Sequence, residues 1–223
     1  MKTIELFAGT RSFSKVAKNL GHETFTTDYE EIDGQDLVAD VRTLTAINFP
    51  YQPDILWASP PCEGFSVASI GANWGGGKEA YMPKSMTACR SIDLVNHALR
   101  MITQLEPKWW FVENPRGMLR KLHLIPTGGV YHHTIWYCKY GDTRAKPTDI
   151  WTNAPWFVPR PLCRNNNPDC HHIRAPRGAK TGTQGVNGYK NRSRIPAALF
   201  EDIFTQYQKF LELCGVDVNQ SQS

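Results

Sequence analysis

Buried strands of a parallel sheet show as short uninterrupted apolar runs, whereas helices packed on such a sheet repeat apolar residues roughly every three to four positions. Both signatures alternate along this chain. Residues 3–7 (Thr-Ile-Glu-Leu-Phe) form a first strand and residues 8–12 a tight turn. Phe13, Val16, Ala17 and Leu20 form the apolar face of a helix that Gly21 stops. A second strand, 23–27, ends at Asp28, a short apolar segment at 38–41 carries Asp40, and residues 55–58 (Ile-Leu-Trp-Ala) are a further buried run. Ile92, Val95, Leu99, Ile102 and Leu105 mark an amphipathic helix. Strands follow at 109–112 and 131–137, and a turn at 142–146 precedes 149–151. Residues 196–213 close the pattern as a helix with Pro196 in its first turn and Leu199, Ile203, Tyr207 and Phe210 on its apolar face. The opening order of strand, glycine turn, helix, strand and acid is that of a nucleotide-binding sheet. Amides at the helix start and the acid after the second strand meet the ligand there. A doubly wound, Rossmann-like α/β fold is therefore predicted, although a sheet whose Asp28 merely caps a turn would give the same spacing.

Composition adds limits. The chain has 223 residues, 41% of them hydrophobic, enough for one full core with a small appendage. No apolar run approaches the roughly 20 residues that span a bilayer, and no signal peptide precedes the first strand, so a cytoplasmic protein of a bacterial or phage-infected cell is expected. The six cysteines should be reduced thiols, because a chain with this much core does not need disulfides.

Charge is uneven. Residues 153–194 hold eight basic side chains against the single acid Asp169, whereas the rest of the chain carries net −3. Such a segment fits a polyanion partner, a solvated basic loop being the rival reading. Its Pro, Gly and Asn content shows no sustained period, so residues 153–191 are taken as an irregular basic insertion. The expected divisions are 1–152 for the catalytic and cofactor-binding domain, 153–191 for the insertion, 192–215 for a helix returning to the domain, and 216–223 for a tail.

Candidate chemistry gathers where strands end. Pro60-Pro61-Cys62-Glu63-Gly64-Phe65-Ser66 follows the run at 55–58, so Cys62 sits at a strand's carboxyl end, where open α/β sheets place their ligands. Two prolines stiffen the approach and Gly64 permits a sharp turn beyond it. Glu113-Asn114-Pro115 ends the strand at 109–112 in the same way. Residues 69–85 are glycine-rich and carry Trp74 and Lys78, which suits a lid beside the cysteine or a plain surface loop. Cys163, Cys170, His171 and His172 could ligate zinc. Adjacent Cys-His-His does not match the paired spacing of common zinc sites, however, and no metal is expected. No Walker-type Gly-Lys-Ser/Thr is present, which argues against ATP.

Together these segments resemble the cytosine-5 methyltransferase family. Glu5-Leu6-Phe7-Ala8-Gly9 is similar to its cofactor-loop motif, the segment from Pro60 to Ser66 to its nucleophile motif, and Glu113-Asn114-Pro115 to its Glu-Asn-Val motif. Tyr140-Gly141 with Arg144 and Lys146 resembles a degenerate Tyr-Gly-x-Pro-Gln-x-Arg-x-Arg segment, and Ser193-Arg194-Ile195-Pro196 the final Asn-Ser-Val-Pro motif. Thr10-Arg11-Ser12, Glu63 and Pro115 depart from the family's pattern, leaving thiol and acid in place.

The resemblance implies an S-adenosylmethionine-dependent methyltransferase sheet acting on cytosine in DNA. Cys62 would attack C6, Glu113 would bond N3 in its protonated form, and Arg144 would polarise O2. Phe7, Ala8, Gly9, Thr10, Asp28, Tyr29, Asp40, Val41 and Pro60 would line the cofactor site. Asp28 would take the ribose hydroxyls, Tyr29 the adenine face and Asp40 the adenine amine. Ser66, Trp74, Lys78, Arg160, Arg164, Arg174, Arg177 and Lys180 would meet nucleic acid. The target base would be flipped out of a duplex or taken from a single strand. The insertion is shorter than the family's usual target-recognition region, which fits phosphate clamping better than extensive base reading. A monomer is expected. The same chemistry on transfer RNA, a binding protein with weak catalysis, and a carboxyl-bearing cofactor suggested by Arg192 and Arg194 stay open.

Overall fold

The computed structural model describes residues 1–77, 80–173 and 188–216. In chain order the elements are β1 (Lys2–Leu6), α1 (Ser12–Asn19), β2 (Glu23–Asp28), β3 (Leu37–Val38), β4 (Ile55–Ala58), α2 (Ile70–Asn73), β5 (Trp74–Gly75) and β6 (Met82–Pro83). They continue with α3 (Met86–Leu105), β7 (Trp109–Pro115), β8 (Tyr131–Trp136), β9 (Pro147–Thr152), α4 (Tyr189–Ser193) and α5 (Ala197–Leu213). Seven strands form one sheet in the order β3-β2-β1-β4-β7-β9-β8. Pairing is parallel from β3 to β7, and β9 runs antiparallel to both β7 and β8. The expected doubly wound α/β architecture is the one observed.

The apolar runs are continuous because both faces of the sheet are covered. Leu56, Ala58, Trp110 and Val112 pack beneath α3 through Val95, Ala98 and Met101. The alternate residues Ile55, Trp57 and Phe111 pack beneath α1 and α5 through Phe13, Phe200 and Ile203. Trp57 stacks at 5.8 Å on both Phe13 and Phe111 and meets Phe200 edge-on at 4.8 Å. The closing helix thus covers the sheet face that α1 leaves open.

Strand order reverses at β1, whose neighbours are β2 on one side and β4 on the other. Crevices open at such a switch point, and both the 7–11 loop and the Cys62 loop leave the sheet there. In the 7–11 loop Phe7, Gly9 and Arg11 all have positive φ (56°, 50° and 54°). Two non-glycine residues held in the left-handed region store backbone strain. The loop is tied down by Glu5, buried on β1, which accepts from the backbone N–H groups of Phe13 (3.3 Å) and Ser14 (2.9 Å) at the start of α1.

Two sequence expectations change in detail. Residues 69–85 contain α2 and the small β5–β6 hairpin. Within the stretch taken as the insertion, residues 153–173 hold no helix or named strand, and Ile173 forms a parallel bridge with Arg144.

Candidate active site

Cys62 follows β4 and Glu113 lies in β7, the strand paired beside it. Asn114 locks the two together by donating from Nδ2 to Pro60 O at 2.9 Å. The loop beyond the thiol is held closely as well. A Cβ on Gly64 would lie 2.4 Å from Ser91 Oγ on α3, and one on Gly117 would lie 2.2 Å from Phe65 O. Only glycine permits those two approaches.

The third group belongs to Lys146, which the sequence placed in the degenerate Tyr-Gly motif but ranked behind Arg144 for contact with a base. Lys146 immediately precedes β9, is half-buried, and acts electrostatically on both Cys62 and Glu113. Its Nζ lies 4.8 Å from the Tyr137 ring centre and donates to Arg192 O at 3.3 Å. Tyr137 Oη donates to Glu113 Oε1 at 3.0 Å. Burial is the largest influence on each of the three ionisable groups. It raises the Glu113 carboxyl and the Cys62 thiol above their ordinary values and lowers the Lys146 ammonium. Lys146 opposes the first two shifts, and the Glu113 charge opposes the third. A thiol, a carboxyl and an ammonium that act on one another's charge in one crevice form a group whose protonation states are linked.

Arg144, the residue favoured from sequence for contact with a base, is occupied. Its Nε and Nη2 bind the Asp142 carboxylate, Nη1 donates to Asn191 O (3.2 Å) and Arg192 O (3.1 Å), and Nη2 donates to Arg194 O (2.8 Å). Those contacts use all five guanidinium donors, so Arg144 serves here as a clamp on residues 191–194. Register explains the exchange with Lys146. Trp136 pairs with Pro147, and Tyr137 N donates to Lys146 O, which puts Lys146 beside Tyr137 and thereby beside Glu113. The available signal was the degenerate motif itself, in which Lys146 falls at the first Arg position when Tyr140-Gly141 is the anchor.

Next to this group lies a cleft of about 890 Å³ lined by Phe7, Asp28, Tyr29, Asp40, Val41 and Pro61, among others. Asp28 accepts from Gly9 N at 2.9 Å and from Glu30 N at 3.1 Å, which fixes the carboxylate at the mouth of β2. Tyr29 is 55% exposed. Asp40 lies in the cleft, but Arg42 binds it through both Nε and Nη2, so its acceptors are shared with that guanidinium. Ala8, Gly9, Thr10 and Pro60 are not among the lining side chains. Ala8 is buried and donates from its N to Thr27 O, Thr10 Oγ1 bonds Ser12 Oγ at 2.7 Å, and Pro60 is the acceptor for Asn114. Arg192 does line the cleft.

Among the expected nucleic-acid contacts, Trp74 is corrected. It is 5% exposed, stacks on Phe65 at 6.3 Å and donates from Nε1 to Gly64 O at 2.6 Å. Its ring buttresses the Cys62 loop from behind. Ser66 caps the turn that follows, accepting from Ala68 N at 3.3 Å. Arg160 lies over the Tyr140 ring at 4.8 Å and pairs with Asp202 at 3.5 Å, whereas Arg164 is exposed. Lys78, Arg174, Arg177 and Lys180 lie outside the described residues.

The fold and the crevice define a Rossmann-like α/β protein of the methyltransferase type. Residues 1–125 match the model of the C-5 cytosine-specific DNA methylase family, more than half of the chain, and the protein belongs to that family. A curated relative, the "Probable DNA (cytosine-5)-methyltransferase" of Frog virus 3 (isolate Goorha), is 28% identical over 231 residues, covering 96% of this chain and 100% of the relative. Similar solved structures include the methyltransferase EhMeth of Entamoeba histolytica, at 14% identity and TM-score 0.49 over 73% of this chain and 56% of that one. Another is the S. pombe Dnmt2 methyltransferase, at 12% identity and TM-score 0.46 over 68% of this chain and 48% of that one. The chain thus spans about half the length of these structures. No helix among the described residues is long and apolar enough to cross a membrane.

Proposed function

We propose that this protein transfers a methyl group from S-adenosylmethionine to C5 of cytosine in DNA, through an adduct between Cys62 and C6 of the base. The observation that carries the reading is the placement of Cys62 and Glu113 on paired strands tied together by Asn114 and Pro60, with Tyr137 on the carboxyl and Lys146 beside it. Attack by Cys62 as thiolate makes C5 an enamine carbon able to accept a methyl group. Glu113, favoured in its protonated form by burial, donates to N3 and offsets the charge that develops on the ring. Tyr137 and Ser59 both hydrogen-bond the carboxyl, which holds it in place for that contact. Lys146, in place of Arg144, stabilises the thiolate and the charge on O2. After methyl transfer to C5 a base takes the C5 proton and passes it to solvent, the C5–C6 double bond re-forms as the C6–S bond breaks, and Cys62 leaves as the thiolate.

The cofactor site fits S-adenosylmethionine by donor set and size. A cleft of about 890 Å³ is in the range for such ligands, Asp28 offers acceptors to vicinal hydroxyls, and exposed Tyr29 offers a face for adenine. When bound, the sulfonium supplies an activated methyl group. The Phe7–Thr10 backbone supports the cleft from behind. Residues 153–191 act as the nucleic-acid clamp, with Arg164 and the basic residues beyond it meeting phosphates of a strand whose target base is flipped out.

Transfer of labelled methyl groups to duplex DNA and to RNA, followed by nucleoside analysis, tests the proposal. Label in 5-methyldeoxycytidine that disappears in Cys62→Ala is expected. Label confined to RNA would replace the substrate, and cofactor binding without turnover on either polymer would replace catalysis by a binding role.

A further inference from the structure

Cys138, Cys163, Cys170 and His172 converge although they come from two separate segments. One ligand atom from each lies within 4.8 Å of every other, and Cys163 Sγ is 3.8 Å from His172 Nδ1. Cys138 sits in the turn after β8, whereas the other three lie on the irregular stretch between 163 and 172. The sequence drew attention to His171 in this group. The structure points His171 away, with Nε2 3.0 Å from Asp142 O, and supplies Cys138 in its place. The objection from ligand spacing lapses, because the fourth ligand is not local.

The surroundings are those of a metal site. Asn165 O lies 2.9 Å from His172 Nε2, and a carbonyl only accepts, so Nε2 carries the proton. Nδ1 therefore turns its lone pair toward the sulfurs, held by the kind of backbone partner that orients metal-bound histidines. Asn167 Nδ2 is directed at Cys163 Sγ from 3.7 Å. A tetrahedral zinc ion with ordinary bond lengths separates sulfur and nitrogen ligands by about 3.5–3.8 Å, a small contraction of the present cluster. The local apolar core is too small to hold the stretch alone, comprising Trp136, Cys138 and Cys163 with Ala145 and Cys170 against them.

We propose that these four residues form a closed structural zinc site that fastens the base of the basic segment to the edge of the sheet. On binding, Cys138, Cys163 and Cys170 each release a proton to solvent and ligate as thiolates, and neutral His172 ligates through Nδ1. The site then carries net charge −1 with no open position for a water. Directly beyond it Ile173 N donates to Thr143 O at 2.8 Å, next to Asp142 and Arg144. The metal would thereby set where the basic residues after 173 leave the catalytic body.

Elemental analysis of the full chain, purified under mild reductant without a histidine tag, tests the site. About one zinc per chain is expected, released on mercurial titration of the thiols. Cys163→Ser and His172→Ala should each lose it, whereas Cys214→Ser, at an exposed cysteine away from the cluster, should keep it. Should the variants fail to fold, Co²⁺ added to metal-stripped wild-type protein gives an independent reading through thiolate-to-cobalt charge transfer and tetrahedral visible bands. Wild-type protein with a small fraction of an equivalent of zinc and no such cobalt spectrum would overturn the proposal. So would a disulfide within the cluster, or full zinc in both variants.

Discussion

Two groups of sulfur chemistry occupy this sheet, one at its middle and one at its edge, and they differ in what surrounds the sulfur. Beyond β4 a single thiol, Cys62, faces a carboxyl and an ammonium. Beyond β8 three thiols face one another and an imidazole. Unequal neighbours leave a lone sulfur with a protonation state that substrate can change, which suits a nucleophile. Like neighbours at near-tetrahedral spacing leave lone pairs that a cation can share. Neither group is fully enclosed, Cys62 and Cys170 both being half-buried, so the identity of the facing groups decides between reaction and coordination.

The sharpest way to break this contrast is to remove Cys62. Cys62→Ala should lower methyl transfer by more than about a thousandfold while leaving the zinc content of the chain unchanged. A parallel loss of metal would show that the two groups are not independent.

Lys146→Met comes next. Loss of a half-buried cation that stabilises developing charge is expected to cost about 10²-fold in kcat. The direction on pH is also fixed. Lys146 holds the thiol and the Glu113 carboxyl down, so both rise without it. The pH profile of Cys62 alkylation by iodoacetamide should therefore move to higher pH, and Lys146→Arg should move it back. An unchanged profile would separate Lys146 from the thiol.

Glu5 gives the smallest effect and tests burial without sulfur. Its carboxyl rises from 4.5 to about 7, chiefly through burial and against the two N–H donors. A folded-state value raised above the unfolded one favours folding at low pH, and that contribution is lost as pH climbs from 4.5 through about 7. The loss is on the order of 3 kcal/mol, and Glu5→Gln should flatten it, as read from denaturant midpoints across that interval. A variant with the same slope as the wild type would assign the pH dependence elsewhere.

How much of this was legible before folding depended on whether partners were local in sequence. The strands around β4 and β7 were legible because double-sided burial leaves uninterrupted apolar runs, and Cys62 and Glu113 followed as the polar residues at or just beyond their ends. Asp28 followed from the same logic on β2. The antiparallel edge was not legible in the same way. Which of Arg144 and Lys146 points inward is set by the pairing of β9 with β8, and Cys138 meets Cys163 only once the chain has crossed back over that edge. Trp74 shows the limit of residue type: an aromatic in a glycine-rich loop looks available for bases, but its indole N–H found a backbone carbonyl inside the protein.

The link from Asn114 to Pro60 has a consequence for how activity arises during synthesis. A nascent chain that has emerged only as far as β4 presents Cys62 as an ordinary thiol, with neither acid nor ammonium beside it. Glu113 arrives with β7 and Lys146 with β9, after which antiparallel pairing draws all three together. The group is thus completed in two stages, the carboxyl first and the ammonium second. Full assembly waits for the sheet to close on its far side, so a chain ending before β9 holds Cys62 without the ammonium that opposes the rise of its thiol.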